Sequence, residues 1–261
     1  MNRVAIVTGA ARGIGAATVD ALVIDGYQVV AVDRCRDIPE VPYAMATPAD
    51  LESVVARHGD AVLGLVGDVR SATDMQLAVE TATRHFGRLD AVIASAGVVA
   101  AGAPLWEITD AEWEAVWSVN VLGTRRLIEA AAPTLIANGR DAHSRIVAIA
   151  SAAGRTGLYH LAAYSAAKHA VVGLVRGVAM DLAEHGVTAN AVSPGSTRTA
   201  ILKASAAVYG LASEEEFAKS QPIGRLLEPS EIAASIVWLC SPAASAITGA
   251  DIAADGGMTV A

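Results

Sequence analysis

Short apolar runs alternate along this chain with longer stretches in which apolar residues recur every three or four positions. Residues 3–8 (RVAIVT) show no polar–apolar alternation, the mark of a strand covered on both faces. The same pattern predicts strands over 28–33, 62–67, 91–95, 145–150, 187–192 and 250–254. Helical periodicity fills 13–25, 73–85, 109 to about 136, about 161–185, and 229 to about 239. The punctuation agrees. Gly26 ends the first helix, and Thr109 with Glu112 has capping-box form. Gly186 stands where a left-handed cap is expected, and Pro229 with Glu231 opens the last helix. Repeated β–α alternation argues for an α/β fold: a parallel sheet of about seven strands with helices on both faces. No linker or charge block divides the chain, so residues 1–261 are expected to form a single domain.

Composition tests that picture against a membrane alternative. Mean hydropathy is high at +0.43. Alanine accounts for it, at 56 of 261 residues, and adds hydropathy without bulk. No stretch approaches the roughly 20 bulky apolar residues a transmembrane helix needs. The opening MNRVAIVTGA is too short an apolar run for a signal peptide. These features predict a soluble, cytoplasmic protein with no membrane association. With 19 Lys and Arg against 27 Asp and Glu, the net charge of −8 speaks against a nucleic-acid partner. Two cysteines, Cys35 and Cys240, cannot make a metal site alone, and no metal is expected. Only 18% of residues are charged, which hints at buried subunit interfaces.

Candidate chemistry gathers at the carboxyl ends of the predicted strands. The first strand runs straight into TGAARGIG, Thr8 to Gly15. Gly9, Gly13 and Gly15 allow a tight turn and let phosphate oxygens approach the start of the next helix, where free N–H groups and the dipole favour negative charge. A carboxylate at Asp33, ending the second strand, would accept from adenosine ribose hydroxyls and repel a 2′-phosphate, favouring NAD over NADP. Arg34 beside it and Arg12 in the glycine loop stand against that choice, since arginine can hold the phosphate. Asp68-Val69 follows the third strand, placed either to meet the adenine edge or to cap the next helix.

Tyr164 and Lys168 stand four apart in YSAAK, on one face of a predicted helix. An ammonium beside a phenol stabilises the phenolate, so this tyrosine could exchange a proton with an alcohol or carbonyl oxygen. Ser151, just past the fifth strand, could hold the substrate oxygen. Asn120 is polar within an apolar helical stretch. It is either a helix-bending residue satisfied locally or a water holder linking Lys168 to solvent.

In order and spacing, these residues resemble the short-chain dehydrogenase/reductase family, and the resemblance covers the whole chain. Pro194-Gly195 with Thr199 completes the set. The resemblance implies a single doubly wound Rossmann domain. It implies Tyr164 as general acid/base, Lys168 lowering its pKa and binding nicotinamide ribose, Ser151 orienting substrate and Asn120 supporting a proton relay. Cofactor contacts would come from Gly9, Arg12, Gly13, Ile14, Gly15, Asp33, Arg34, Asp68, Val69, Ala96, Gly97, Tyr164, Lys168, Pro194, Gly195, Thr197 and Thr199. It also implies a homotetramer built on the two long helices and the C-terminal strand.

Two departures qualify the resemblance. Where the family usually has Asn-Asn-Ala-Gly, this chain has Ala94-Ser95-Ala96-Gly97, which removes the asparagine contacts. The segment between Asp33 and Asp68 is longer than usual, and Pro39, Pro42 and Pro48 bar a regular helix from its first half, leaving about 49–57 helical. This insertion, 34–61, resembles that of the mycofactocin-associated branch. There it lies over the cofactor, NAD stays bound between turnovers, and mycofactocin accepts the electrons. The alternative is a surface excursion with no role.

The remaining candidates are weaker. Trp113 and Trp117, four apart, read as packing, whereas Trp106 could touch substrate. Tyr159 and His160 either line the pocket or do not. His169 reads as structural. Cys35, between two arginines, is a candidate for a lowered pKa, though more naturally inert. Residues 197–221 are expected to form a mobile substrate lid. The apolar lid and the tryptophans favour a small hydrophobic secondary alcohol or ketone, such as a terpenoid or other cyclic alcohol. The rival readings are a 3-oxoacyl carrier-protein reductase, which Asp33 opposes, and a non-catalytic NAD-binding redox sensor, which the Ser–Tyr–Lys set opposes.

Overall fold

The computed structural model describes residues 2–100 and 102–260. Seven strands form one sheet: β1 (Val4–Thr8), β2 (Gln28–Asp33), β3 (Val62–Val66), β4 (Ala91–Ala94), β5 (Arg145–Ile149), β6 (Thr188–Pro194) and β7 (Asp251–Ala254). All pairings are parallel, and the order is β3-β2-β1-β4-β5-β6-β7. Parallel neighbours need crossover connections, and the helices supply them. These are α1 (Gly13–Ile24), α2 (Pro48–Ala56), α3 (Ala72–Thr81), α4 (Asp110–Trp117), α5 (Gly123–Ala137), α6 (Ala162–Leu182), α7 (Ala200–Val208) and α8 (Pro229–Cys240).

The uninterrupted apolar runs follow from burial on both faces. In β1, Val4 and Ile6 enter one core while Ala5 and Val7 enter the other. In β2, Val30 and Val32 oppose Val29 and Ala31 in the same way. Met75 of α3, Leu127 and Leu135 of α5, and Val171 and Val175 of α6 complete the first core. Val19 and Leu22 of α1, Leu51 of α2, and Ile232 and Ile236 of α8 complete the second. Each such side chain contributes about 1.5–3 kcal/mol relative to exposure. Among the described residues no helix is long and apolar enough to cross a membrane.

Several local features differ from expectation. The long helix begins at the expected Thr109–Glu112 capping box but passes through a π turn at Ser118–Leu122. There the Asn120 amide donates to the Val116 carbonyl at 2.7 Å, competing for the acceptor four residues back. Asp68 does not cap α3; Ser71 does, its hydroxyl accepting from Asp74 N. Residues 34–47 contain no helix, as the prolines require. Thr47 and Asp50 form a reciprocal capping box that starts α2 immediately afterwards. Gly186 takes the left-handed conformation expected of it, with φ +73°.

Candidate active site

Strand order reverses at β1, which lies between β2 and β4, and ligands in such sheets bind at the carboxyl ends beside that point. The glycine loop emerges there. Gly9 has φ +65°, and a Cβ on it would lie 2.8 Å from Ala96 Cα. Gly13 has φ +57°, and its missing Cβ would meet Thr199 Cγ2 at 3.3 Å. No side chain caps α1 and no acidic residue occupies its first turn, so its leading N–H groups stay open to an anion. Asp33 ends β2, accepting from Ala11 N (3.1 Å) and Cys35 N (3.2 Å), which aims its carboxylate across the loop. Ile14, Gly15, Pro194, Gly195, Thr197 and Thr199 line the same cavity, and Thr199 also caps α7.

That cavity, of roughly 370 Å³, runs from the glycine loop to the residues singled out for proton chemistry. Ser151 sits just past β5, its hydroxyl accepting from Ala153 N at 3.1 Å. Tyr164 and Lys168 share one face of α6. The Lys168 ammonium is buried, donates to Ile149 O at 2.7 Å, and lies 5.6 Å from the centre of the Tyr164 ring. Burial pushes the phenol up to about 12, against the pull of the bond with Ser151. Burial draws the ammonium down to about 8. Burial governs both groups, so in the protein alone the expected lowering of the phenol by the ammonium is absent. Asn120 bridges to the loop after β4: Nδ2 donates to Val98 O (2.9 Å) and Oδ1 accepts from Val98 N (3.3 Å). Its side chain is thus satisfied partly by a residue far off in sequence, so purely local satisfaction is only half right. Gly97 lets Asn120 and Lys168 converge, since a Cβ there would lie 2.9 Å from Asn120 Oδ1 and 3.4 Å from Lys168 Nζ.

The two arginines that clouded the cofactor choice are both engaged elsewhere. Arg34 Nε lies 2.9 Å from Asp68 Oδ2. Arg12 Nη1 donates to Ala44 O at 2.8 Å, with its guanidinium carbon 6.0 Å from the centre of the Tyr43 ring. A smaller cavity of roughly 60 Å³ is lined by Asp33, Arg34, Asp68, Val69, Ala96 and Gly97, joined by Ile38 and Met45. Segment 34–47 therefore borders the site, and Tyr43 Oη, accepting from Val99 N at 3.2 Å, ties it to the loop after β4.

A family model described as enoyl-(acyl carrier protein) reductase matches residues 9–259. The chain belongs to the short-chain dehydrogenase/reductase family. An uncharacterized NAD-dependent oxidoreductase of Mycobacterium tuberculosis is 36% identical over 266 residues, covering 98% of this chain and 95% of the relative. A 2,5-dichloro-2,5-cyclohexadiene-1,4-diol dehydrogenase of Sphingobium indicum is 37% identical over 255 residues, covering 97% and 96%. The crystal structure of carveol dehydrogenase from Mycobacterium avium in complex with NAD superposes with a TM-score of 0.93 at 27% identity, covering 99% of this chain and 98% of that one.

Within this short-chain dehydrogenase/reductase, several side chains do not go where the sequence suggested. None of Trp106, Trp113 and Trp117 lines the large cavity. Trp106 is 84% exposed, and Trp113 stacks on Trp117 with centroids 6.2 Å apart. The tryptophans therefore give no support to an apolar substrate. Tyr159 and His160 stack on each other outside the cavity lining. The Cys35 thiol is pushed up to about 11 by burial, reinforced by the Asp33 charge, so the lowering anticipated from its arginine neighbours does not occur. His169 bonds only the Ser165 carbonyl of its own helix, at 2.9 Å.

Further side chains complete the lining: Leu158, Leu161 and Met258 were not singled out by the sequence, whereas those between 201 and 217 fall within the expected lid 197–221. Leu158 and Leu161 come from the loop before α6, and Met258 from beyond β7. Ile201, Leu202, Ser205 and Tyr209 come from α7 and its end, and Phe217 from the turn beyond it. The spacing of 201, 202, 205 and 209 is helical, a signal present in the sequence but masked by the alanines around it. Tyr209 donates to Tyr159 O at 2.7 Å, fastening the end of α7 to the loop after β5.

Proposed function

We propose that this protein is an NAD-dependent dehydrogenase of small, uncharged secondary alcohols, or reductase of the matching ketones. The observation that carries the reading is one cavity that joins an open helix N-terminus to Ser151, Tyr164 and Lys168. Among the described residues lining it, only Arg12 and Lys168 carry charge. The substrate end, from Leu158 and Leu161 to Ile201, Leu202, Phe217 and Met258, suits a compact apolar ring. The names of the chlorinated cyclohexadiene-diol dehydrogenase and of carveol dehydrogenase accord with such a substrate.

In this reading, Ser151 holds the substrate oxygen and Tyr164 exchanges its proton. Lys168, fixed by Ile149 O, tunes Tyr164 and would bind the nicotinamide ribose. Asn120 holds the loop that carries Gly97 and supports proton passage from Lys168. The cofactor, when bound, supplies the hydride acceptor or donor. Gly9, Gly13, Ile14 and Gly15 would receive its phosphates. Asp33 would accept from its adenosine ribose, with Arg34, Asp68, Val69, Ala96 and Gly97 around that half. Pro194, Gly195, Thr197 and Thr199 would border the nicotinamide.

Segment 34–47 supports a further element of the proposal: NAD stays bound between turnovers and is reoxidised in place by mycofactocin. Ile38 and Met45 close the adenosine side, and Tyr43 and Ala44 tie the segment to Val99 and Arg12. We place the enzyme in the cytoplasm, where its two buried, unpaired thiols would persist. A homotetramer on α5, α6 and β7 accords with the open edge of β7 and the 79% exposed Met180 on α6.

The runner-up is reduction of a 3-oxoacyl carrier-protein thioester, the activity named for the 3-ketoacyl-(acyl-carrier-protein) reductase of Brucella melitensis, whose structure is 29% identical with a TM-score of 0.86. The Tyr209–Tyr159 tether counts against it, since a carrier-borne chain would have to part it. A non-catalytic NAD sensor has no use for Ser151, Tyr164 and Lys168. NADH formation with a panel of cyclic secondary alcohols, under single turnover and with an artificial electron acceptor, together with NADH consumption on a 3-oxoacyl thioester, separates the three. Turnover of alcohols supports the proposal. Turnover of the thioester alone supports the runner-up, and turnover of neither supports the sensor.

A further inference from the structure

Two arginines, Arg34 and Arg70, crowd one carboxylate, Asp68, at the adenosine end of the site. Arg70 grips Asp68 with Nε (3.1 Å to Oδ1, 3.2 Å to Oδ2), with Nη2 (2.8 Å to Oδ2) and with its backbone N (2.9 Å to Oδ1). Arg34 approaches the same Oδ2 with Nε at 2.9 Å, off the line of a full hydrogen bond. Its far end donates from Nη1 to the carbonyls of Arg36 (3.1 Å) and Asp37 (2.6 Å). The side chains of Arg34 and Asp68 are only 16% and 19% exposed. Burial draws the Arg34 guanidinium down, and the positive neighbours Arg70 and Arg36 add to this while Asp68 opposes it.

Arg34 directly follows Asp33, the residue aimed at the adenosine ribose. Arginine at that place is the side chain that accommodates a 2′-phosphate in NADP-binding relatives of this architecture. Here it faces a carboxylate already inside the protein. We propose that Asp68 is a specificity-determining positioning residue that occupies Arg34 and so denies the site to NADP. The claim rests on the NAD reading above. Two effects act together. A phosphate recruiting Arg34 must displace Asp68, exchanging one anion for another with little net gain. The Asp68 charge, held beside the ribose pocket, also repels the incoming phosphate. Without it, Arg34 and Arg70 would lose the anion they share and offer their guanidinium groups to another. Both Asp68 oxygens are taken by these arginines, so a role as acceptor for the adenine edge is not what the geometry favours.

The test uses the full-length protein freed of nucleotide with charcoal and titrated with NADH and NADPH by fluorescence. The wild type should prefer NADH. Asp68→Asn keeps the shape and removes the charge, and should move the ratio of the two dissociation constants toward NADPH by about tenfold or more, the scale of one charge-assisted hydrogen bond. Adding Arg34→Ala should abolish that gain. Arg34→Ala alone, which leaves the Asp68 charge in place and unshielded, should keep the preference for NADH at least as strong as in the wild type. Asp68→Asn weakening both nucleotides alike would overturn the proposal, as would a shift of the ratio toward NADPH in Arg34→Ala alone. A wild type that prefers NADH with variants that never shift the ratio defeats this proposal only. A wild type that binds neither nucleotide defeats the NAD reading as well.

Discussion

The Lys168 ammonium donates to the Ile149 carbonyl at 2.7 Å while standing 5.6 Å from the centre of the Tyr164 ring. A strand end thus fixes the lysine beside the phenol, and the helical spacing of four does the rest. Burial disfavours both ionised forms, drawing Lys168 down to about 8 and pushing Tyr164 up to about 12. As pH rises, the first proton to leave the pair is therefore the lysine's.

A pH dependence follows, with opposite signs for the two directions. Alcohol oxidation needs the pair to accept a proton, so kcat/KM should rise with pH through about 8. Ketone reduction needs the pair to deliver one, so it should fall across the same range. Lys168→Met should remove this limb and cost roughly 10²- to 10⁴-fold in rate. The same limb persisting in the variant would show that another group titrates.

Gly9 tests the phosphate turn. Its φ of +65° disfavours any Cβ, and an added one would meet the Ala96 backbone at 2.8 and 2.9 Å. Gly9→Ala should cost at least the roughly 1–2 kcal/mol of a left-handed residue. The melting temperature should fall by about 2 °C or more, and NAD binding should weaken with it. A calorimetric scan superposing on the wild type would mean that the turn relaxes freely.

Tyr43 tests the strap over the adenosine half. Tyr43→Phe keeps the ring against Arg12 but leaves Val99 N without its acceptor. A buried donor so orphaned costs about 1–3 kcal/mol, and NAD should leave roughly tenfold faster. Displacement of bound NADH by excess NAD, followed by fluorescence, measures this rate. An unchanged rate would mean that segment 34–47 does not hold the cofactor.

The sheet was legible because each strand is buried on two faces, so that Val4 to Val7 and Val29 to Val32 are apolar without a break. Thr8 to Gly15, Asp33, Ser151, Tyr164 and Lys168 were legible because local spacing around a strand end determines where each side chain goes. The partners of the arginines were not. Arg34 meets Asp68 and Arg12 meets Ala44 only after the chain folds back, and no sequence period records those distances. The substrate wall was hidden for a similar reason. Leu158, Phe217 and Met258 are far apart in sequence and are gathered by the lid and the chain beyond β7. The tryptophans misled because aromatic bulk shows in a sequence, whereas the direction it faces does not.

The central claim is that Tyr164 carries the proton of an alcohol–ketone conversion. The most direct measurement compares single-turnover NADH formation by wild type and Tyr164→Phe, each with NAD bound, in the presence of a cyclic secondary alcohol. Equal NAD content by mass spectrometry is expected, with a rate lower by at least about 10²-fold in the variant. NADH formation at the wild-type rate by the phenylalanine variant would contradict it.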